Sequence, residues 1–423
     1  MSVVSARQTV GEWFDPTSET FVLDPLAQLE RARREAGSAV LPARILRGST
    51  EAHVLTDITD ITAALHDHRT FSSARAFGGT TIPERYHEQI SPTVMGDSLI
   101  ASDPPKHTRA RRIANVPFRR GAVDALEDPI RRRALELIDG FAGRGGCALI
   151  NDYSVALTFR TLTSLLGLPE QDIPLLMQAV FDHAAILTGR PTPATPPEKY
   201  DAAWTRWVDF RTYLGTVVDQ RRVDPGEDLI GGLASARTAD GAPAMDREEI
   251  ITHVSAIVAA GADTTASTVA NIVILLNRFP EARDELLANP ALWPNAVEEG
   301  MRMLPALAGT YRFTTATATL PSGGVVPEGS RVYVSVVSAN HDAVRFPHPD
   351  RFDLHRPNAK DHLALGTGRH VCLGAPLGRL QARVALEVLY ERLPTLRLAP
   401  HVSTAYIPFS PDLVERNLDV VWD

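Results

Sequence analysis

Cys372 is the residue in this sequence best suited to bind a metal through a thiolate sulfur. It is one of only two cysteines among 423 residues, and it lies in the segment LGTGRHVCLGAPLGR, which runs from Leu365 to Arg379. Arg369 and His370 place positive charge beside the sulfur, which favours the ionised thiol. Glycine allows the backbone to take positive φ angles and to approach other atoms closely. Glycines lie on both sides of the cysteine, at Gly366, Gly368 and Gly374. The segment therefore predicts a tight loop around a thiolate.

A helix is predicted to begin directly after this loop. Leu377, Leu380, Val384 and Val388 recur at three- and four-residue steps, which is the spacing of one helical face. The N-terminus of a helix stabilises negative charge on a group that precedes it. A single cysteine is more often a small buried apolar residue, and we interpret the other one, Cys147, as a structural thiol. For Cys372, the glycines, the histidine and the start of the helix favour a ligand.

This stretch resembles the haem-ligand loop of the cytochrome P-450 monooxygenases, whose pattern is roughly F-x-x-G-x-R/H-x-C-x-G. Gly368, His370, Cys372 and Gly374 match that pattern. Leu365 stands where the family usually has phenylalanine, which implies altered packing and altered redox tuning beside the iron. The resemblance implies haem b (iron protoporphyrin IX) as the cofactor, with Cys372 as the iron ligand. It also implies that the loop contacts the haem at Leu365, Gly366, His370 and Gly374.

The longest helical pattern runs from Asp246 to Phe279. Asp246 followed three residues later by Glu249 is typical of a capping box, and Pro280 is expected to end the helix. About 33 residues at ~1.5 Å each would cross a whole domain. The middle of the pattern reads AAGADTT, and its glycine, aspartate and threonines are poor helix formers. Such residues at the buried centre of a long helix indicate either a functional site or a polar kink satisfied by backbone and water.

The same central segment resembles the A/G-G-x-D/E-T signature with which the family crosses the distal face of the haem. Ala260, Gly261, Asp263 and Thr264 match it completely. The resemblance implies that Ala260 and Gly261 contact the haem, and that Asp263 and Thr264 deliver protons during catalysis.

Two basic segments resemble the family's sites for the haem propionates. In DPPKHTRARR, His107 and Arg111 are four residues apart and therefore share a helical face. Alone, that face would suit either a carboxylate ligand or bulk solvent; the resemblance assigns it to one propionate, and Arg312 in TYRF to the second. The neighbouring arginines are expected to point outward and to form a docking site for an acidic electron donor. They are Arg109, Arg112, Arg119 and Arg120.

Glu299 and Arg302 are three residues apart and face the same side of a predicted helix. Such a pair is weak evidence by itself, because charged helical pairs are common and usually solvated. Its position matches the structural Glu–Arg pair of the resembling family. We expect Arg356 to be the third member of that network, with Arg351 as the alternative.

The remaining patterns predict a mainly α protein with small β-sheets (α+β). No linker rich in Pro, Gly or Ser divides the chain, so residues 1–423 are expected to form a single domain. The resemblance implies the cytochrome P-450 fold, with a long central helix over the haem and the cysteine loop beneath it. The pattern predicts helices over 25–35, 57–67, 122–141, 153–166, 170–187 and 199–222.

Composition excludes several classes of protein. The net charge of −8 and the pI of about 5.9 argue against wholesale nucleic-acid binding. Two cysteines exclude a disulfide framework. The N-terminus has neither a basic region nor an apolar one, and no run approaches the ~18 apolar residues of a membrane span. We therefore expect a soluble, cytoplasmic protein that does not bind a membrane, and we expect a monomer.

The resemblance implies a soluble bacterial-type haem-thiolate monooxygenase of secondary metabolism. It would insert one atom of O₂ into a small, largely apolar organic substrate, with hydroxylation as the default and epoxidation or oxidative coupling open to the same machinery. Electrons would come from a ferredoxin and its NAD(P)H-dependent reductase. A peroxide-driven relative and a haem-based sensor are the alternatives, and the intact Asp263–Thr264 pair argues against both. The expected pocket walls are 71–101, 180–199, 253–263, 304–309 and 406–411.

Overall fold

The computed structural model describes residues 9–16, 18, 20–21, 24–45, 50–76, 82–90, 98–187, 195–402 and 418–423. The predicted pocket wall at 406–411 lies outside these residues, as do parts of those at 71–101 and 180–199. Helices numbered in chain order are α1 Val10–Trp13, α2 Pro25–Ala36, α3 Ile58–His66, α4 Lys106–Ala114, α5 Arg120–Asp124, α6 Glu127–Asp139, α7 Ala156–Leu166, α8 Ile173–Leu187, α9 Pro197–Val223, α10 Leu229–Ser235, α11 Arg247–Arg278, α12 Pro280–Ala288, α13 Trp293–Met303, α14 Val336–Asn340 and α15 Ala375–Arg392.

Three small sheets accompany the helices in the described part of the chain. The strands are β1 Val40–Ile45, β2 Thr50–Leu55, β3 Phe71–Ser72, β4 Gly146–Ala148, β5 Gly309–Thr314, β6 Ala318–Thr319, β7 Val325–Val326, β8 Arg331–Ser335, β9 Arg397–Leu398 and β10 Asp419–Val421. The largest sheet has the strand order β1-β2-β8-β5-β3, in which β2 and β8 run parallel and the other neighbours are antiparallel. A second sheet has the order β4-β10-β9, and β6 pairs with β7.

The long helix α11 runs through the main hydrophobic core. The predicted capping box is present: the Asp246 side chain accepts from the Glu249 N–H at 2.8 Å, and Glu249 accepts from the Asp246 N–H at 3.0 Å. Pro280 begins the next helix and so ends this one. Within the described residues, α11 is the one helix long and apolar enough to cross a membrane, and 72% of its apolar window is buried inside the protein. Its apolar character is therefore that of a core helix.

Two predicted helices differ from the observed elements. The segment expected to be helical over 122–141 is divided into α5 and α6. Pro129 lies in the first turn of α6, where its missing N–H has no helical partner to lose, so the proline favours a new helix start there. The segment expected over 153–166 begins with a π-helical stretch, Leu149–Val155, and becomes α-helical only at Ala156.

A buried ion-pair network fixes α13 to the segment that leads to the cysteine loop. Arg302 donates to Glu299 at 2.7 and 2.9 Å, and Arg356 donates to the same carboxylate at 2.9 Å. All three side chains are at most 4% exposed. Arg351 contributes only its backbone carbonyl, which accepts from both guanidinium groups. The prediction of Arg356 as the third member is confirmed.

Candidate haem site

The loop around Cys372 is held by backbone conformation and by one close backbone contact. Gly366 and Gly368 have φ angles of +69° and +68°, which L residues with a side chain adopt only with strain. A Cβ atom on Gly368 would lie 2.8 Å from the Leu65 carbonyl oxygen, so helix α3 also excludes a larger residue. The Cys372 N–H donates to the Leu365 carbonyl at 2.8 Å, which folds the loop back upon itself three residues before α15.

Opposing effects act on the Cys372 sulfur. The side chain is accessible, although protein surrounds it on several sides. Burial raises the pKa of the Cys372 thiol, whereas the backbone N–H groups of Gly374 and Ala375 and the charges of Arg111 and Arg379 lower it. A bound metal cation would add a further and larger preference for the thiolate. The sulfur is therefore accessible and would ionise on binding a metal cation.

A cavity of about 730 Å³ lies between α4 and the cysteine loop and reaches Cys372. Phe118, Val371 and Leu373 supply apolar surface to it. No carboxylate lines it among the residues that the structure describes. Its basic lining residues are His107, Arg111, Arg112, Arg119 and Arg369.

Beside this cavity, the Arg312 guanidinium and the Nε2 atoms of His107 and His370 are buried and could bind an anion. Arg312 is 5% exposed, and the hydrogen bond its guanidinium makes within the described chain goes to its neighbour's carbonyl, Tyr311 O, at 2.6 Å. Burial lowers the pKa of Arg312 to about 10. His107 and His370 have ring centroids 4.2 Å apart, and the Nε2 atom of each is buried with no hydrogen-bond partner in the described residues.

Burial, followed by the charges of Arg312 and His107, lowers the pKa of His370 to about 3. Burial also lowers the pKa of His107. Unsatisfied buried donors are costly and rare in folded proteins. Two propionate groups would supply both the missing acceptors and the missing negative charge, so these residues fit a haem.

Arg111 contacts the backbone of the cysteine loop and the side chain of Asn115. Its Nη1 donates to the Val371 carbonyl at 2.6 Å, and its Nε donates to the Asn115 side chain at 2.9 Å. The guanidinium therefore lies against the backbone of the residue that precedes Cys372. The structure brings Arg111, His107, His370 and Cys372 together from α4 and the cysteine loop.

Arg109 is a correction to the sequence-based prediction, which placed its side chain outward. Its guanidinium forms an ion pair with Glu249, the residue that completes the cap of α11, and also donates to the Ala244 carbonyl at 2.5 Å. Glu249 lies 140 residues away from Arg109 in the sequence. Arg112, Arg119 and Arg120 are exposed, as expected.

The centre of α11 presents one accessible face inside an otherwise buried helix. Ala260 is exposed, and Gly261, Thr264 and Thr265 are half-exposed, whereas Ala259, Ala262, Asp263 and Ala266 are buried. Residues three and four apart share a helical face, so the accessible residues lie together on one face of α11. The helix is continuous here: Thr264 Oγ1 donates to the Ala260 carbonyl at 2.9 Å. The central polar residues thus leave the α11 backbone unbroken, and the accessible face of the helix carries small side chains.

Asp263 is buried away from that face, at 8% exposure. Burial raises the pKa of its carboxyl group to about 7. Its protonated and ionised forms are therefore close in free energy at neutral pH, which is the condition for efficient proton transfer. The sequence motif identified Asp263 as a candidate. It could not predict the raised pKa, because desolvation of a carboxyl group depends on the surrounding packing.

Sequence reasoning missed Glu298 and its two partners. Glu298 accepts from Arg379 at 2.6 and 3.0 Å, and His362 Nε2 lies 3.2 Å from the same carboxylate. The available signal was the run of two glutamates, Glu298 and Glu299, in one helix turn. Only the second of them was given a role.

Comparison with known proteins gives one consistent family. Residues 218–394 match the family model described as Cytochrome P-450. The chain is 33% identical over 379 residues to the mycinamicin IV hydroxylase/epoxidase of Micromonospora griseorubida, covering 88% of this chain and 90% of the relative. It is 33% identical to the cyclomarin C epoxidase CymV of Salinispora arenicola, over 81% and 84% of the two chains.

Among solved structures, that of CalO2 is similar with a TM-score of 0.81 and 26% identity. The similarity covers 97% of this chain and 98% of CalO2. Sequence and fold therefore point to the same family.

Proposed function

Because this chain belongs to the cytochrome P-450 family and is a haem b-dependent monooxygenase that uses O₂, an organic substrate and a redox partner, we propose that its substrate is a medium-sized, largely apolar compound of bacterial secondary metabolism. The similar proteins from Micromonospora and Salinispora are named as a hydroxylase/epoxidase and an epoxidase. The accessible face of α11 consists of alanine, glycine and threonine, which offers apolar contact and a few hydroxyl groups. Hydroxylation is the expected outcome, with epoxidation as the second.

The cluster of Arg312, His107 and His370 beside a glycine-rich thiol loop is the observation that carries the haem assignment. Cys372 would ligate the iron, and Leu365, Gly366 and Gly374 would pack beneath the ring. His107, His370 and Arg312 would bind the propionates, together with Arg111. When bound, the haem supplies oxygen activation, with the thiolate increasing electron density at the iron. Ala260 and Gly261 would face the ring from the opposite side.

Asp263 and Thr264 would move protons on that opposite side. With a pKa of about 7, Asp263 can release a proton and regain it at neutral pH. The Thr264 hydroxyl is half-exposed on the accessible face of α11 and can accept a hydrogen bond from a bound molecule while it donates to Ala260. A peroxide-driven enzyme or a sensor would have no use for this pair, so we favour a reductase-dependent monooxygenase.

The exposed surface near Cys372 suits an acidic electron donor, and we assign that role to a ferredoxin reduced by an NAD(P)H-dependent reductase. Arg112, Arg119 and Arg369 are exposed around the cavity. Val116 and Val371 are 49% and 39% exposed in the same region. A cationic rim around apolar residues is the composition of a transient protein interface. On a chain of net charge −8, this local excess of positive charge would orient the donor.

Residues 1–423 would act as one domain, which the 97% coverage by the CalO2 alignment supports. A monomeric state and a cytoplasmic location stay predictions from the sequence. Gel filtration with light scattering tests the first, and cell fractionation tests the second.

Turnover measured with a ferredoxin–reductase pair, and separately with peroxide alone, tests the proposed function. We expect product only with the electron-transfer pair; product only with peroxide would favour the peroxygenase, and product with neither would favour the sensor. Candidate substrates would first be found by screening apolar natural products for the spectral shift that accompanies loss of the iron's axial water.

A further inference from the structure

Glu298 joins the two ends of the segment that carries Cys372. Its carboxylate binds Arg379, which lies in α15 seven residues after Cys372, through two hydrogen bonds of 2.6 and 3.0 Å. A bidentate pair of this kind fixes orientation as well as distance. The same carboxylate lies 3.2 Å from Nε2 of His362, ten residues before Cys372. One side chain from α13 therefore contacts both approaches to the thiolate loop.

The histidine is set to face this carboxylate. His362 Nδ1 accepts a hydrogen bond from the Ala364 N–H at 3.1 Å, so the ring N–H lies on Nε2. The His362 side chain is fully buried, and Glu298 is 14% exposed. The pair does not meet the geometry of a hydrogen bond, so the contact at 3.2 Å is one of electrostatic attraction. Burial opposes ionisation of Glu298, but His362 and Arg379 outweigh it and lower the pKa of Glu298 to about 2.

A second contact ties the start of the loop to the same helix. The Leu363 N–H donates to the Asn340 side chain at 2.7 Å, and the Asn340 carbonyl accepts from Arg302 at 2.9 Å. Arg302 belongs to the Glu299 network of α13. The two adjacent glutamates thus have separate tasks: Glu299 holds the segment around Arg356, and Glu298 holds the loop that begins at His362 and ends at Arg379.

We propose that Glu298 is a positioning residue of the thiolate loop, which it closes at both ends while it balances the charge of Arg379 beside Cys372. The proposal rests on the proposed role of Cys372 as the iron ligand. Arg379 is near enough to the sulfur to favour its ionised form. The carboxylate of Glu298 compensates that charge and prevents the guanidinium from moving freely.

Opposite shifts of the reduction potential distinguish this role from a merely structural one. Glu298→Gln leaves Arg379 uncompensated near the iron, and positive charge favours the reduced, more negative state, so the ferric/ferrous midpoint potential should rise. Arg379→Gln leaves the carboxylate uncompensated and should lower it. Simple loosening of the loop would shift the midpoint potential of both variants in the same direction. Shifts of the same sign, or no shift in either variant, would overturn the proposal.

Glu387→Gln is the matched control. Glu387 lies in α15, is 16% exposed and pairs with Arg131 and Arg383 at 2.7 and 2.9 Å, so its loss removes a comparable ion pair away from the loop. We expect haem transfer to excess apomyoglobin to be about tenfold faster for Glu298→Gln than for Glu387→Gln, at the lower end of what outer partners of metal ligands contribute. Equal rates would contradict the proposal. Glu298→Asp keeps the charge but shortens the side chain. Its midpoint potential should therefore be closer to the wild-type value than its rate of haem loss.

The carbon monoxide spectrum of Cys372→Ala separates the two levels of inference. If the thiolate-type band persists in that variant, the ligand assignment itself fails. If the band is lost there but Glu298→Gln behaves as Glu387→Gln in potential and haem retention, the ligand assignment holds and the role of Glu298 fails.

Discussion

The two walls of the proposed haem site, the cysteine loop and the centre of α11, are built on different principles. The cysteine wall is a loop with two positive-φ glycines, and Arg379 behind it is paired with Glu298 from a distant helix. The helical wall is unbroken, and its accessible face carries small residues and hydroxyl groups. In the proposed site, the loop would fix the ligand atom in position and charge state. The helix would leave space and hold one buried acid close to its proton-exchange point.

Two carboxyl groups express this difference most clearly. Asp263, behind the helical wall, is desolvated and has its pKa raised to about 7. Glu298, behind the loop, is also desolvated, but its partners lower its pKa to about 2. Burial is common to both groups, so the presence of charged partners decides the direction. In the proposed site, a buried acid with no charged partner among the described residues would serve proton transfer, and a partnered one would serve as a fixed charge.

The largest expected effect comes from removing the sulfur. Cys372→Ala should abolish the thiolate-type carbon monoxide band, because no other described cysteine lies in the loop. Cys147→Ala is the control and should leave the band unchanged, since that thiol is half-buried in strand β4 and burial raises its pKa to about 12. A persistent band in the first variant would place the iron ligand elsewhere.

On the helical wall, Thr264→Ala should uncouple electron use from product formation. The hydroxyl is the accessible polar group nearest the centre of α11, and proton delivery by a positioned group is worth about 10²-fold or more in rate. Electrons should then be lost to peroxide or water, which is measured as the ratio of product to NAD(P)H consumed. Thr268→Ala, one turn further along and bonded to the Thr264 carbonyl at 2.9 Å, is the matched control. Equal coupling in both variants would count against the relay.

The two carboxyl groups predict opposite dependences of stability on pH. The pKa of Asp263 is raised from 3.8 to about 7, so the folded protein loses stability as pH rises through that interval. Asp263→Asn should therefore become more stable than wild type over this range, by up to a few kcal/mol. The pKa of Glu298 is lowered from 4.5 to about 2, so its contribution is present above 4.5 and is lost as pH falls toward 2.

Denaturant unfolding of the apoproteins across pH measures both differences. The Asp263→Asn advantage should grow up to about pH 7 and then level off, whereas the Glu298→Gln deficit should shrink as the pH falls below 4.5. Curves that run parallel to wild type would show that the two walls do not differ in this way.

The smallest expected effect concerns the backbone of the loop. Gly368→Ala introduces both an unfavourable φ angle and a Cβ 2.8 Å from Leu65 O, and it should destabilise the protein by about 1–3 kcal/mol. Gly323→Ala is the control, because Gly323 has a φ of +84° but open space where the Cβ would be. Destabilisation by Gly323→Ala as large as that of Gly368→Ala would mean that φ alone matters and that contact with α3 does not.

Local patterns in the sequence were sufficient to predict most of the helices and the tight loop at Cys372. The cap at Asp246, the stop at Pro280 and the glycines around Cys372 act within a few residues, so their effects can be read without knowledge of the fold. The network of Glu299, Arg302 and Arg356 was predicted from a family motif and is confirmed by distances of 2.7–2.9 Å. Division of the helix predicted over 122–141 was missed, although Pro129 carried a local signal for it.

The tertiary structure alone decided the pairings and the charge states. Arg109 was expected in solvent and instead binds Glu249. Glu298 contacts His362 and also binds Arg379, which is 81 residues away from it in the sequence. The pKa of Asp263 likewise depends on the side chains that pack around it. Helix caps and turns depend on neighbours in the chain, which the sequence specifies directly. Desolvation and ion pairing depend on neighbours in space, which only the packed chain defines.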